Sequence, residues 1–273
     1  MNRIHSAAIQ WPHDLKDPSG KRKEKPRTYG LTMVIDKGLG LRSYTDLLET
    51  AHEYIDVLKF GFGTPALLSS HILRTKLKLA KEYGIIVMPG GTFLEIALVK
   101  GKVDEFLCLM KEAGFTGLEI SDGCISMSRR ERNELIKKAT DEGFIVSTEF
   151  GKKDETHAWS LSELAETFAE DMNNGALWMT IEGRESGKGV GIYDNDGCCD
   201  VADMDAIMNT ISDPERIMWE APLKDQQAAI IKRGGVNVNL GNVAPHDVIS
   251  LEALRRGLRY DTMSDHIFSY YEI

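Results

Sequence analysis

The stretch Gly117-Leu118-Glu119-Ile120-Ser121-Asp122-Gly123, followed by Ser128-Arg129-Arg130-Glu131, decides the fold. Leu118 and Ile120 alternate with Glu119 and Ser121, so the first part reads as a short strand with an apolar and a polar face. Ser128-Arg129-Arg130-Glu131 is a capping box: the serine oxygen takes an orphan N–H of the first helical turn and the glutamate reaches back. Strand, polar turn and capped helix make one β/α unit. The same succession recurs, with β-prone runs at 31–35, 55–60, 85–88, 117–120, 145–148, 176–181, 216–219 and 236–240. Ser160-Leu161-Ser162-Glu163 and Thr92-Phe93-Leu94-Glu95 carry the same capping signature. Between the first two runs, Leu47, Leu48, Ala51 and Ile55 recur at the spacing of a helix with one apolar face. Eight such units between residues 28 and 262 predict an α/β protein built as a single (β/α)8 TIM barrel. A doubly wound open sheet is the competitor. Its nucleotide-binding form needs GxGxxG after the first strand, and Asp36-Lys37-Gly38-Leu39-Gly40 lacks that spacing.

Composition narrows the function. The 273 residues are 42% hydrophobic and 27% charged, as in ordinary soluble domains. Lys and Arg number 33 against 42 Asp and Glu, a net charge of −9. That balance excludes a general nucleic-acid binder, which needs a surplus of cations to neutralise phosphates. It leaves room for a small anionic substrate in a locally positive pocket. No apolar run approaches the ~20 residues of a membrane span, and the N-terminus has no apolar signal core, so a cytoplasmic protein without a membrane partner is expected. Cys108, Cys124, Cys198 and Cys199 form no CxxC pair and read as reduced thiols. Residues 1–27, broken by Pro12, Pro18, Ser19, Gly20 and Pro26, read as a loose N-terminal extension. Their charge run Lys21-Arg22-Lys23-Glu24-Lys25 is expected to be solvated. Residues 263–273 read as a C-terminal tail, with Phe268, Tyr270 and Tyr271 to dock on the body or on a neighbouring subunit. A closed homo-oligomer is expected on general grounds.

Barrel chemistry sits at the loops after the strands' C-terminal ends. Charged residues gather there: Asp36 and Lys37, Lys59, Glu119, Glu149 with Lys152, Glu182 with Arg184, and Glu220. Buried strands avoid unpaired charge, so a polar mouth around a ligand is the economical explanation. The carboxylates would repel one another unless cations join them. Lys59 and Lys152 offset part of the charge, and oxygen donors without His or Cys suit Mg²⁺. The structural alternative is a set of Lys–Glu pairs that only satisfy each other. Glycines at Gly61-x-Gly63, Gly90-Gly91 and Gly183-x-x-x-Gly187-Lys188-Gly189 can expose N–H groups to an anion, or simply turn the chain.

Some near-matches fail. Gly183-Arg184-Glu185-Ser186-Gly187-Lys188-Gly189 has three residues between the first glycines of a P-loop where four are needed, and Gly where Ser or Thr belongs. Asp194-Asn195-Asp196-Gly197 would place Ile192 at the first ligand position of an EF-hand. Neither HExxH nor GxSxG occurs.

The strand ends resemble the phosphosulfolactate synthase family. The resemblance lies in Asp36-Lys37-Gly38, Lys59-Phe60-Gly61-Phe62-Gly63-Thr64, Pro89-Gly90-Gly91-Thr92 and Glu119-Ile120-Ser121-Asp122-Gly123. It continues through Thr148-Glu149-Phe150-Gly151-Lys152-Lys153, residues 181–189, Glu220-Ala221-Pro222 and residues 250–259, covering about 28–262 in order. It implies a carbon–sulfur lyase-class enzyme that adds sulfite to phosphoenolpyruvate with Mg²⁺, through an enediolate, giving (2R)-2-phospho-3-sulfolactate for coenzyme M or sulfolactate synthesis. In that reading Lys152 is the general acid and Lys59 holds the carboxylate or the sulfite. Lys37, Arg184 and Lys188 meet phosphate or sulfite, with Gly90, Gly91 and Asn239 completing the substrate-binding set. Glu149 and Glu182 are the first metal ligands, with Glu119 and Asp36 behind them. Two rivals remain open: another phosphoenolpyruvate or enediolate enzyme with a different nucleophile, and a non-catalytic, stress-associated barrel.

Overall fold

The computed structural model describes residues 9–151, 160–189 and 191–267. Eight parallel strands carry the expected β/α alternation: β1 (Thr32–Asp36), β2 (Val57–Phe60), β3 (Ile86–Pro89), β4 (Gly117–Ile120), β5 (Ile145–Phe150), β6 (Trp178–Ile181), β7 (Ile217–Glu220) and β8 (Asn239–Val243). They run in the order β3-β2-β1-β8-β7-β6-β5-β4. The sheet curls until β3 meets β4. There Thr116 N–H donates to the Val87 carbonyl at 3.0 Å, and Val87 N–H donates to Thr116 Oγ1 at 3.0 Å. Gly117 permits that approach, since a Cβ there would lie 3.0 Å from both Ile86 and Met88 side chains. The result is a single, nearly closed (β/α)8 TIM barrel.

The helices are α1 (His13–Lys16), α2 (Leu41–Ala51), α3 (Ser70–Glu82), α4 (Gly91–Val99), α5 (Val103–Ala113), α6 (Arg129–Asp141), α7 (Leu161–Asn173), α8 (Val201–Thr210), α9 (Lys224–Gly234), α10 (Val248–Arg255) and α11 (Tyr260–Ile267). Ser128 and Glu131 form the predicted capping box on α6, and Ser160 caps α7 through Glu163 N–H. The third cap fails. α4 starts two residues earlier than its signature implies, behind Gly90, and Glu95 is used elsewhere. Apolar helix faces such as Tyr44 and Leu48 pack against the outer strand faces, alongside Val34 and Leu58. Inside the barrel, Leu31, Met33, Val57, Met88, Trp178 and Met218 fill the lower half. This floor leaves the next layer up as the site.

The N-terminal extension is not loose over 17–27, and this corrects the sequence expectation. Arg22 is buried; its Nε donates to both Glu252 oxygens at 3.1 and 3.2 Å, and its Nη1 to the Gly30 carbonyl at 2.9 Å. Lys25 Nζ donates to the carbonyls of His52, Ile55 and Tyr83, and Arg27 pairs with Asp56 at 2.9 Å. The charge run therefore ties down the N-terminal end of the barrel, although Lys21, Lys23 and Glu24 are solvated as expected. The aromatic residues of the C-terminal tail, Phe268, Tyr270 and Tyr271, lie outside the described residues.

Burial alone would raise the Glu252 carboxyl. Arg22, Arg255 and Arg256 outweigh it and hold the group below the ordinary carboxylate range. A depressed folded value contributes stability above the unfolded value, ~4.3 for glutamate, and loses it as pH falls through the folded one. Glu252→Gln should therefore cost about 3 kcal/mol in urea unfolding at neutral pH, with mutant and wild type converging in acid. Equal stability at pH 7 would show the pair to be idle.

Candidate active site

β2, β4, β5 and β7 each bring one charged side chain to the mouth, and Glu182 follows β6 directly. The period-two geometry explains why. Val57 fills the barrel floor and Lys59, two residues on, reaches the mouth. Glu119, Glu149, Glu182 and Glu220 join it around a cavity of about 420 Å³. Ile35, Gly61, Phe62, Gly90, Gly91, Thr92, Arg184, Glu185, Ser186 and Asn242 complete its wall.

Lys59 is the hub. Its Nζ donates to Glu119 Oε1 at 3.1 Å and to Glu220 Oε1 at 2.9 Å. Burial works against its charge, but Glu119, Glu220 and Glu149 outweigh that and hold the ammonium well above the usual lysine range. The other oxygens of the two partners are also taken. Glu119 Oε2 accepts from Gly91 N–H at 2.8 Å, and Glu220 Oε2 from Gly183 N–H at 3.1 Å. Burial raises the Glu119 carboxyl, Lys59 opposes this, and Glu149 and Glu220 add to it. Glu149 Oε1 accepts from Ser121 Oγ at 2.8 Å, while Glu182 Oε1 accepts from Arg184 N–H at 2.7 Å.

Glycine is required at two places in this wall. A Cβ on Gly90 would lie 2.7 Å from Phe62 N, and one on Gly91 would lie 2.6 Å from Ser121 Cβ. Both line the cavity as expected, but Gly91 N–H serves Glu119.

Several sequence-predicted residues lie elsewhere. Asp36 faces outward, because Ile35 holds the inward parity of β1. Its Oδ2 pairs with buried Lys76 of α3 at 2.5 Å and its Oδ1 accepts from Gly38 and Leu39 N–H, so it is no ligand at the mouth. Asn239 stands at the opposite end of the barrel. It accepts from Leu31 N–H and donates to the Glu215 and Ile217 carbonyls, which removes it from the substrate set. Lys37 is exposed and does not line the cavity, although it pairs at 3.0 Å with Glu185 of the wall, and Lys188 is exposed away from it. Arg184 lines the cavity. Lys152 lies outside the described residues.

Sequence reasoning passed over supporting residues. Glu95 is buried behind Glu149; its Oε1 lies 3.0 Å from the Ser121 hydroxyl that serves Glu149, and it accepts from Cys124 N–H at 3.2 Å. Arg132 of α6 binds Asp171 and donates to the Glu149 carbonyl at 3.0 Å. Gln226 of α9 donates to the Gly187 and Gly197 carbonyls, and Tyr193 OH donates to the Glu220 carbonyl at 2.5 Å, so the loop after β6 is fastened on both sides. Lys76 carried a signal, since it shares the apolar spacing of Leu73, Leu77 and Ala80.

Does this donor set suit Mg²⁺? Among the described residues, no three His, Cys, Asp or Glu side chains form a metal-binding group. Glu119 is committed to Lys59 and Gly91. Glu149 and Glu182 stand on the cavity wall as hard-oxygen donors, and Mg²⁺ is commonly held by one or two carboxylates with substrate oxygens and water. The donor chemistry fits.

An acid-rich (β/α)8 barrel mouth built around a buried ammonium is the site of a barrel enzyme. The sequence profile of the (2R)-phospho-3-sulfolactate synthase family matches residues 20–261, and the chain belongs to that family. It is 44% identical to the phosphosulfolactate synthase of Methanocaldococcus jannaschii, over 85% of this chain and 93% of that one. Identity is 39% to the phosphosulfolactate synthase of Methanothermobacter thermautotrophicus, over 89% and 94%. Among solved structures, the YdjI aldolase from Escherichia coli shares the fold, with a TM-score of 0.55, 14% identity and coverage of 89% and 90%.

Lys59→Met would leave Glu119, Glu149 and Glu220 facing one another in a buried site. The Glu119 carboxyl, already raised, would rise further above its unfolded value, so stability would fall as pH rises past ~4.3. The variant's loss relative to wild type should be about 3–5 kcal/mol at pH 8 and smaller at pH 5 by urea unfolding. A pH-independent loss would remove Lys59 as the counter-charge.

Proposed function

We propose that this chain catalyses addition of sulfite to phosphoenolpyruvate, giving (2R)-2-phospho-3-sulfolactate. The observation that carries the reading is the buried Lys59 ammonium in the carboxylate ring of a chain of this family. Sulfite sulfur attacks the methylene carbon, and the charge passes into the substrate carboxylate as an enediolate. An ammonium has three N–H donors, and Glu119 and Glu220 take two of those on Lys59. The third serves the substrate carboxylate, where negative charge grows. Glu119 and Glu220 hold Lys59 at that point and keep it charged, so it acts as an electrostatic stabiliser and gives up no proton. Arg184 meets the phosphate or the sulfite from the wall after β6.

Glu149 and Glu182 would hold Mg²⁺, which when bound supplies Lewis-acid stabilisation of the carboxylate charge. The proton for the phosphate-bearing carbon comes from Lys152, which follows Gly151 beyond β5 in the sequence. A lysine acid of this kind is worth roughly 10²–10⁴ in rate. Both reactants are anions, so their encounter depends on these cations sharing the space. The product would serve sulfolactate or coenzyme M formation in the cytoplasm.

The test is NMR detection of sulfonate formation from phosphoenolpyruvate and sulfite with Mg²⁺, with and without EDTA. Metal-dependent phosphosulfolactate is expected. Lys152→Ala should abolish turnover yet leave phosphoenolpyruvate able to raise the melting temperature. Binding without sulfonate in the wild type would overturn sulfite as the nucleophile, and an active Lys152→Ala would remove that lysine as the acid.

A further inference from the structure

β8 is bulged at the mouth. Thr32 of β1 pairs with Leu240 and Val34 with Val243, so the β8 strand carries an extra residue in that interval. Asn242 lies in it with φ +53°, a left-handed conformation. Regular alternation would turn its side chain away, since a Cβ on Gly241 would face Met33 and Met218 of the barrel interior. The bulge instead brings Asn242 into the cavity wall with Ile35 and Glu220. Its side chain is buried there, 4% exposed, and Oδ1 has no hydrogen-bond partner. A left-handed non-glycine residue and a buried unpaired amide oxygen are each unfavourable. Their coincidence at one cavity residue marks a group held for a ligand.

We propose that Asn242 is a substrate-binding residue that grips the phosphoryl group of the organic substrate through its amide. A primary amide can present either end to a ligand. An oxyanion offers acceptors, so the Nδ2 end of the amide, which is not shut in as Oδ1 is, would donate to it. A neutral donor is suited to this wall. Glu220 pairs in register with Gly241, beside Asn242, and a lysine there would be captured by carboxylate as Lys59 is. The loops after strands seven and eight are also where barrels of this class commonly receive phosphate. The identity of the oxyanion rests on the proposed function; the site itself rests on the bulge and the orphaned amide.

The test compares wild type, Asn242→Gly and Asn242→Asp in the full chain, by calorimetric titration with inorganic phosphate, sulfite and phosphoenolpyruvate, and by steady-state kinetics. Glycine adopts the left-handed backbone without strain, so Asn242→Gly should melt within about 2 °C of wild type or higher. Its KM for phosphoenolpyruvate should rise about tenfold or more with kcat within about threefold, and phosphate affinity should fall in parallel. Asn242→Asp replaces a donor by a charge and should weaken phosphate and phosphoenolpyruvate by about a hundredfold or more. Wild-type-like binding in both variants, tighter binding in Asn242→Asp, or a loss confined to sulfite would each overturn the proposal. If wild type forms no sulfonate yet binds phosphate through Asn242, the reaction assignment falls and this site stands. Normal turnover in all three proteins gives the reverse, and a wild type that binds none of the anions removes both.

Discussion

Among the described residues, the mouth of this barrel depends on one buried ammonium. Lys59 joins β2 to β4 and β7 through Glu119 and Glu220, across the opening where parallel strands offer no further hydrogen bonds to each other. Without it, the carboxylates would have to take up protons or move apart. The backbone then fixes the carboxylates from behind. Gly91 and Gly183 present N–H groups at separate points of the rim, and neither position leaves room for a side chain. Charge, hydrogen bonding and glycine placement thus serve a single geometry, the kind of mutual support that makes a buried ionic cluster tolerable.

The same device recurs in the outer layer for structural ends. Asp36 and Lys76 join the end of β1 to α3, while Arg132 joins α6 to Asp171 of α7 and to the end of β5. These pairs touch no substrate cavity. They hold the strand ends against the helices that follow them, so the rim residues emerge from a fixed frame. Precision at a site of this kind comes from such second supports as much as from the residues that face the ligand.

The barrel was legible because its signals are local and repeated. Period-two runs, capping boxes and glycine turns located strands one to seven to within a few residues. β8 was misread where polar residues interrupt it: the apolar pair Val236 and Val238 drew the expected run toward the N-terminal side. The strand begins at Asn239 and carries a bulge that no alternation rule anticipates. Position at the strand ends singled out Lys59, Glu119 and Glu149, and Asp36 with them; inward parity could have rejected Asp36, whose neighbour Ile35 faces inward. Arg22 was illegible in a different sense. Nothing in a run of charges announces a partner far along the chain, and only the folded topology makes its burial favourable.

That last contact has a kinetic consequence. Arg22 and Glu252 are separated by 230 residues, and the extension cannot lock until α10 has been made and placed. Closing so long a loop carries a large entropic penalty before any contact rewards it, and contacts of high sequence separation slow folding. During synthesis the first strands leave the ribosome without the element that will seal their lower ends. The clasp between extension and α10 therefore forms only after α10 has been made, and the stability it adds reaches the barrel late.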